Sequence, residues 1–282
     1  MRLHHVITCA VLLIAAPAFA QSTPAKPSKY YVSGKNVPVV PVAAWMDGAA
    51  TRVAAGASEV AKAPNTAVKY TRKAVDWPTG TVSVLTFTKA GGGVLHQITK
   101  ESEIFVVKGA ITANVDGTPT VVRAGDVVRW PKGALTSAEG GEDTQLVTWT
   151  VASMIEAPKP TVVRGATAPE ALLPDPHAKV LVKRFVFPGN SIREAHIAKG
   201  GHTEDAMSPK TDSLIHFLSG HMRFHEDDEV HEVYAGDFVR EVAGKHHHWE
   251  PQEDTHFVTT SGVYPGGGPI DPAQSTDRPA TR

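Results

Sequence analysis

Short runs of β-branched and aromatic residues, broken by glycine turns, fill the middle of the chain. Val82-Ser83-Val84-Leu85-Thr86-Phe87, Ile104-Phe105-Val106-Val107, Val127-Val128-Arg129-Trp130 and Leu146-Val147-Thr148-Trp149 are examples. Apolar runs of four to seven residues, with turn signals at about ten-residue spacing, predict strands of an all-β sandwich or barrel. No helix-length periodic segment falls among them. One short helix is predicted around Ala54–Lys62, where Ala55, Val60 and Ala61 could dock, and it carries no visible chemistry.

The same pattern occurs twice. Residues 101–150 recur at 212–261 with a constant offset of 111, which pairs Ser102 with Ser213, Gly109 with Gly220, Gly125 with Gly236 and Gly133 with Gly244. Ala124-Gly125-Asp126 matches Ala235-Gly236-Asp237, and Glu142-Asp143-Thr144 matches Glu253-Asp254-Thr255. A period this long means two copies of a whole domain rather than solenoid units. The copies differ in chemistry, because the second is rich in histidine and the first is nearly bare.

Flanking segments set the expected boundaries. Arg2, the apolar run Val6 to Ala16 and Ala18-Phe19-Ala20 have the form of an export signal over 1–20, too short to anchor in a bilayer, so a periplasmic or secreted protein starting near Gln21 is expected. Residues 21–40 read as a leader or extended arm, 41–156 as the first domain, 157–178 as a Pro-rich linker, 179–264 as the second domain and 265–282 as a disordered tail. The arm around Trp45 and Met46 could cross from one domain to the other. Cys9, the only cysteine, would leave with the signal, which excludes thiolate catalysis and Cys-type zinc sites. The formal charge of −1, without a basic stripe, gives no sign of nucleic-acid binding.

Gly125-Asp126 followed by Pro131-Lys132-Gly133 resembles the second motif of the cupins, in which proline, glycine and histidine stand six, eight and eleven residues after the first glycine. The eleventh position is Thr136 in copy one and His247 in copy two. The first cupin motif, a His-x-His pair, a glutamate and a later glycine, is matched by His96, Ile98, Ser102 and Gly109, and in copy two by His202, Glu204, Ser213 and Gly220 with a longer loop over 205–211. The resemblance spans roughly 82–150 and 182–263 and implies two tandem cupin barrels, that is, double-stranded β-helix jelly rolls.

The resemblance also implies where a metal would bind. Three His and one Glu hold it in the family, so Ile98, Ser102 and Thr136 imply an N-terminal barrel without metal. In the C-terminal barrel, His202, Glu204 and His247 are the candidate ligands for a divalent Fe, Mn, Zn or Ni. Residues two apart on a strand share a face, which would turn 202 and 204 inward, with His247 arriving from a neighbouring strand. Ser213 would leave room for water or substrate. An exposed histidine run at 246–248, a solvated-turn Glu204 and a solvated acidic hairpin at 226–229 remain as plainer readings. Alternation turns His216 outward, so it is not among the candidates, and Trp249 and Glu250 are expected near the barrel mouth.

Two functions follow from the resemblance. One is an exported enzyme with a single metal in the C-terminal barrel, acting on a small organic acid, phenol or sugar derivative by oxygenase-like, isomerase or lyase chemistry. The other is a non-catalytic metal- or small-ligand-binding protein. Fold alone does not choose between them. Homo-oligomerisation is left open.

Overall fold

The computed structural model describes residues 29–42, 49–52, 70–88, 91–92, 96–98, 101–151, 159–175, 177–187, 190–203, 206–207 and 211–263. The expected export signal, the helix over 54–62, Trp45 and Met46, Glu204 and the tail at 265–282 lie outside the described residues. Every regular element among the described residues is a strand, and all the pairings are antiparallel. No helix among them is long and apolar enough to cross a membrane.

The strands form two jelly-roll barrels. In the first, a sheet ordered Thr161–Val163, Val127–Trp130, Ser102–Lys108, Gln145–Val151, Gly80–Phe87, Tyr70–Trp77 and Val40–Val42 faces two smaller sheets. One of these holds Thr118–Arg123, Ala110–Val115, Ala138–Gly140 and Gly91–Gly92, and the other Leu135–Thr136, His96–Ile98 and Ala49–Arg52. In the second barrel, Tyr31–Val32, Phe238–Glu241, Asp212–Ser219, Thr255–Val263, Asn190–Ile197, Val180–Phe187 and Glu170–Leu172 face Ala206–Met207, His246–Pro251, His221–Glu226 and Glu229–Tyr234.

Period-two alternation explains why these sequences build closed barrels. Leu85, Phe87, Ile104, Val106, Val128 and Trp130 fill the first interior, while Val84, Phe105, Val127 and Val147 on the opposite faces pack toward the second barrel. In the second, Ile215, Phe217, Met222, Phe224, Val239 and Trp249 fill the interior, and Phe185, Ile192, Leu214, Phe238 and Val258 join the shared core between barrels. The repeat glycines are structural. Gly109 and Gly220 hold φ of 78° and 87°, and a Cβ there would fall 2.6 Å from the Thr144 hydroxyl and 2.4 Å from the Asp254 carbonyl.

The connections cross between barrels in a matched way. Residues 31–32 add a strand to the second barrel and 40–42 to the first; residues 161–163 add a strand to the first and 170–172 to the second. The repeated aspartates seat both segments. Asp237 Oδ1 accepts from Gly34 N–H at 2.8 Å, and Asp126 Oδ1 from Gly165 N–H at 2.9 Å. Across the interface Trp149 Nε1–H donates to the Leu214 carbonyl at 2.9 Å, and the Thr260 hydroxyl donates to Glu103 at 2.8 Å.

Buried charge sits at the same interface. Arg129 pairs with Glu101 and lies 3.9 Å from Glu103, all three at most 2% exposed. The repeat places Arg240 and Asp212 likewise, at 2.5 Å, with the Thr79 hydroxyl donating to Asp212 at 2.8 Å.

Candidate functional site

The second barrel's interior carries the carboxylates Glu226 and Glu241 where the repeat places Val115 and Trp130 in the first. Glu241 lies at the repeat position of the fully buried Trp130, opposite Ser213 on the ladder. Glu226 follows Met222 and Phe224 on the inward face and stands opposite His247. Arg184 and Arg193 stand opposite one another, on the face that carries Val180, Val182, Ala195 and Ile197. These residues share the core-facing side of their strands, so acids, bases and cations surround one apolar cup.

The geometry is specific around His247 and Glu241. His247 Nε2 lies 3.4 Å from Glu241 Oε1, the same oxygen that accepts from Trp249 Nε1–H at 3.0 Å. His247 Nδ1 is buried with no hydrogen bond. Glu226 Oε1 accepts from Val242 N–H at 2.9 Å, whereas Oε2 is buried without a partner. Burial, reinforced by the charges of Glu241, Asp227 and Asp212, pushes the Glu226 carboxyl up to about 8. Burial and the neighbouring Arg184 charge lower Arg193 to about 10, against the opposing pull of Glu241.

The raised Glu226 value has a measurable sign. A carboxyl that holds its proton longer when folded adds stability below its unfolded value near 4.5, and that contribution is lost as pH rises through about 8. Burial also raises Glu103 to about 7, which acts in the same direction. His216, buried and lowered to about 4, acts oppositely between about 4 and 6.5. Thermal melts should therefore show stability falling from pH 6.5 to 8.5, less steeply in Glu226→Gln; an equally steep fall in that variant would refute the assignment.

The sequence-derived candidates are distributed differently from the expected cluster. His202 is exposed in a non-strand segment, its N–H bonded to the His177 carbonyl at 3.1 Å and its ring stacked on His177 at 5.7 Å. The turn at Gly200, with φ of 69°, delays the strand, so the residue opposite His247 is Ala206. His247 does face inward, and Glu204 lies outside the described residues. Among the described residues, the groups of His and carboxylate atoms lying within 4.8 Å of one another are Glu194, His196 and His256, and His225, His248 and Glu250. Neither includes His202 or His247.

The first barrel is equally short of ligands. Thr136 is fully buried and donates to the Asn114 carbonyl at 3.2 Å, Ile98 is in the core, and Ser102 is buried. The described residues of the two barrels thus do not fit the four-ligand cupin metal site, since His247 has the inward carboxylate of Glu241 beside it but no third His or carboxylate converging on the pair.

Glu226, Glu241, Arg184 and Arg193 are functional candidates that the motif reading misses. A period-two signal was present for each. Met222-x-Phe224-x-Glu226 and Val239-x-Glu241 continue inward apolar series, as do Val180-x-Val182-x-Arg184 and, running backward, Ile197-x-Ala195-x-Arg193. His216 faces away from the barrel interior as alternation requires, yet is buried against Phe238 at 4.7 Å, with Nδ1 3.1 Å from the Asp237 carbonyl oxygen.

Comparison with known proteins agrees on the fold. Residues 77–157 match the EutQ-like cupin domain. The oxalate decarboxylase of Lactobacillus farciminis, solved as a formate complex, superposes with a TM-score of 0.62 at 12% identity, covering 86% of this chain and 87% of that one. The Bacillus subtilis oxalate decarboxylase, described for its Mn(II) centers, gives 0.61 at 12% identity, covering 85% and 78%. A putative glyoxylate-induced protein from Pseudomonas aeruginosa gives 0.59 at 16%, covering 68% and 79%. No curated protein matches the chain in sequence. At these identities the likeness is one of fold: an all-β, tandem cupin architecture.

Proposed function

We propose that the chain is a small-ligand-binding cupin whose C-terminal barrel takes a small organic anion. The observation that carries this is Arg193 facing Arg184 across the ladder on the barrel's inner side. Like charges directly opposite one another destabilise a sheet. Burial makes the repulsion worse, and Arg193 gives up part of its proton affinity as a result. A carboxylate between the two guanidinium groups relieves that cost and accepts fork-like hydrogen bonds from either. Glu226, protonated at neutral pH, offers a donor to the same ligand, while His247 and Trp249 wall the cup. Formate, oxalate and glyoxylate, the small acids for which the similar structures are named, are the natural first probes.

The test is calorimetric titration of the untagged protein with formate, oxalate and glyoxylate. At least one should bind saturably, and Arg193→Met should weaken it by about 10- to 100-fold, the worth of one charge-assisted contact. Arg184→Met, on a half-buried position, serves as the second variant if the first folds poorly. Absence of saturable binding by all three acids, or binding unchanged in both variants, would overturn the proposal.

A further inference from the structure

A separate cluster lies on the outer wall of the same barrel. His225 and His248 are ladder partners on the strands His221–Glu226 and His246–Pro251, and Glu250 follows two positions after His248 on the same face. The inward neighbours Phe224, His247 and Trp249 alternate with them, which separates the two faces of this sheet. The two imidazoles stack with centroids 4.0 Å apart and planes 17° from parallel. Their Nε2 atoms address opposite oxygens of one carboxylate: His225 lies 3.5 Å from Glu250 Oε2, and His248 lies 3.7 Å from Oε1. His225 Nε2 is buried and makes no hydrogen bond.

These spacings are long for hydrogen bonds and suited to a shared cation. Ligands about 2.1 Å from a tetrahedral metal stand about 3.4 Å from each other. The half-exposed wall leaves the fourth position to water. Arg223, opposite Glu250 on the ladder, donates to Glu232 at 2.8 Å. The other triad on the barrel is less suited, because His256 Nε2 already lies within hydrogen-bond distance of Glu194 at 3.1 Å and the Lys183 ammonium sits 3.6 Å from the same carboxylate.

We propose that His225, His248 and Glu250 form a zinc-class divalent cation site that clips two adjacent strands of the C-terminal barrel. Two neutral imidazoles and one carboxylate are a borderline-hard donor set that suits zinc or cobalt. The site lies outside the barrel interior and does not depend on the organic-anion reading.

The experiment is zinc titration of untagged, chelator-stripped full-length protein against a chromophoric competitor, with cobalt as a spectroscopic substitute. One equivalent should bind, and cobalt should give the intense visible bands of a four-coordinate site. His225→Gln and His248→Gln should each weaken zinc by about 100-fold or more, since losing a ligand costs more than the 10- to 100-fold typical of losing its outer-shell partner. His196→Gln and His247→Ala should leave the affinity within about two-fold, and the metal-free variants at 225 and 248 should melt within a few degrees of the wild type. Failure to take up one equivalent at micromolar zinc, or uptake unchanged in both His225→Gln and His248→Gln, would overturn the proposal. Loss of uptake in His196→Gln or His247→Ala instead would place the metal elsewhere and refute it equally.

Discussion

Arg129→Ala is expected to lower the unfolding midpoint by about 10 °C, measured by calorimetry near pH 7. Arg129 is 1% exposed, sits between Glu101 and Glu103, and lies 5.4 Å from the Phe187 ring centroid of the other barrel. Truncation leaves two carboxyls in a dry interface. Glu103 keeps Thr260 and Asn190 as donors, so most of the loss falls on Glu101. Breaking a buried pair in this way costs about 3–5 kcal/mol, and each kcal/mol moves the midpoint of a chain of this size by about 2–4 °C. The double variant Arg129→Met with Glu101→Leu should recover part of the loss, because the uncompensated charge is then gone. A double variant less stable than Arg129→Ala would show that attraction, rather than avoidance of an unpaired charge, dominates this cluster.

Gly34→Ala should release the N-terminal segment from the second barrel. A Cβ at this position would lie 1.9 Å from the Gly236 carbonyl oxygen, a backbone atom that cannot swing aside. The segment would surrender the Gly34 N–H bond to Asp237, the 2.9 Å bond from the Tyr31 hydroxyl to the same carboxylate, and the burial of Tyr30, Val32 and Val37. Three buried side chains of this kind are worth about 1.5–3 kcal/mol each, so the expected loss is about 4 kcal/mol or more. Limited proteolysis read by mass spectrometry should show rapid cleavage before residue 40 in the variant and protection in the wild type. Equal protection in both would contradict the close approach. Gly165→Ala meets Gly125 at 2.2 Å and should be similarly destabilising, but its segment is held at both ends and should not be shed.

The fold was legible because the signals that specify it are local and occur twice. Glycines at left-handed turns, β-branched runs and the Ala-Gly-Asp triplet fix where each strand ends, and the offset of 111 shows the same frame in both halves. The site was less legible for two physical reasons. The motif spacing puts residues 202 and 204 on one inward-facing strand, whereas His202 stands outside any strand and Ala206 is the residue opposite His247. The interior charges were hidden by composition: Glu226 belongs to an acidic run that reads as solvated, although its alternation with Met222 and Phe224 turns it inward. The metal candidates at 225, 248 and 250 needed the ladder register, which joins residues more than twenty apart and is set by strand pairing rather than by any short motif.

The reciprocal exchange of connecting segments bears on how the molecule can associate with itself. Each barrel's Val127–Trp130 or Phe238–Glu241 strand would be a bare edge without the segment that begins before the other barrel. Donor and acceptor are matched inside one chain, so these two edges are closed within the molecule. Shortening the chain past Tyr30 and Tyr31 reopens one acceptor only. Such a molecule has unpaired backbone groups along 238–240, the condition under which edge strands recruit foreign chains into ordered aggregates.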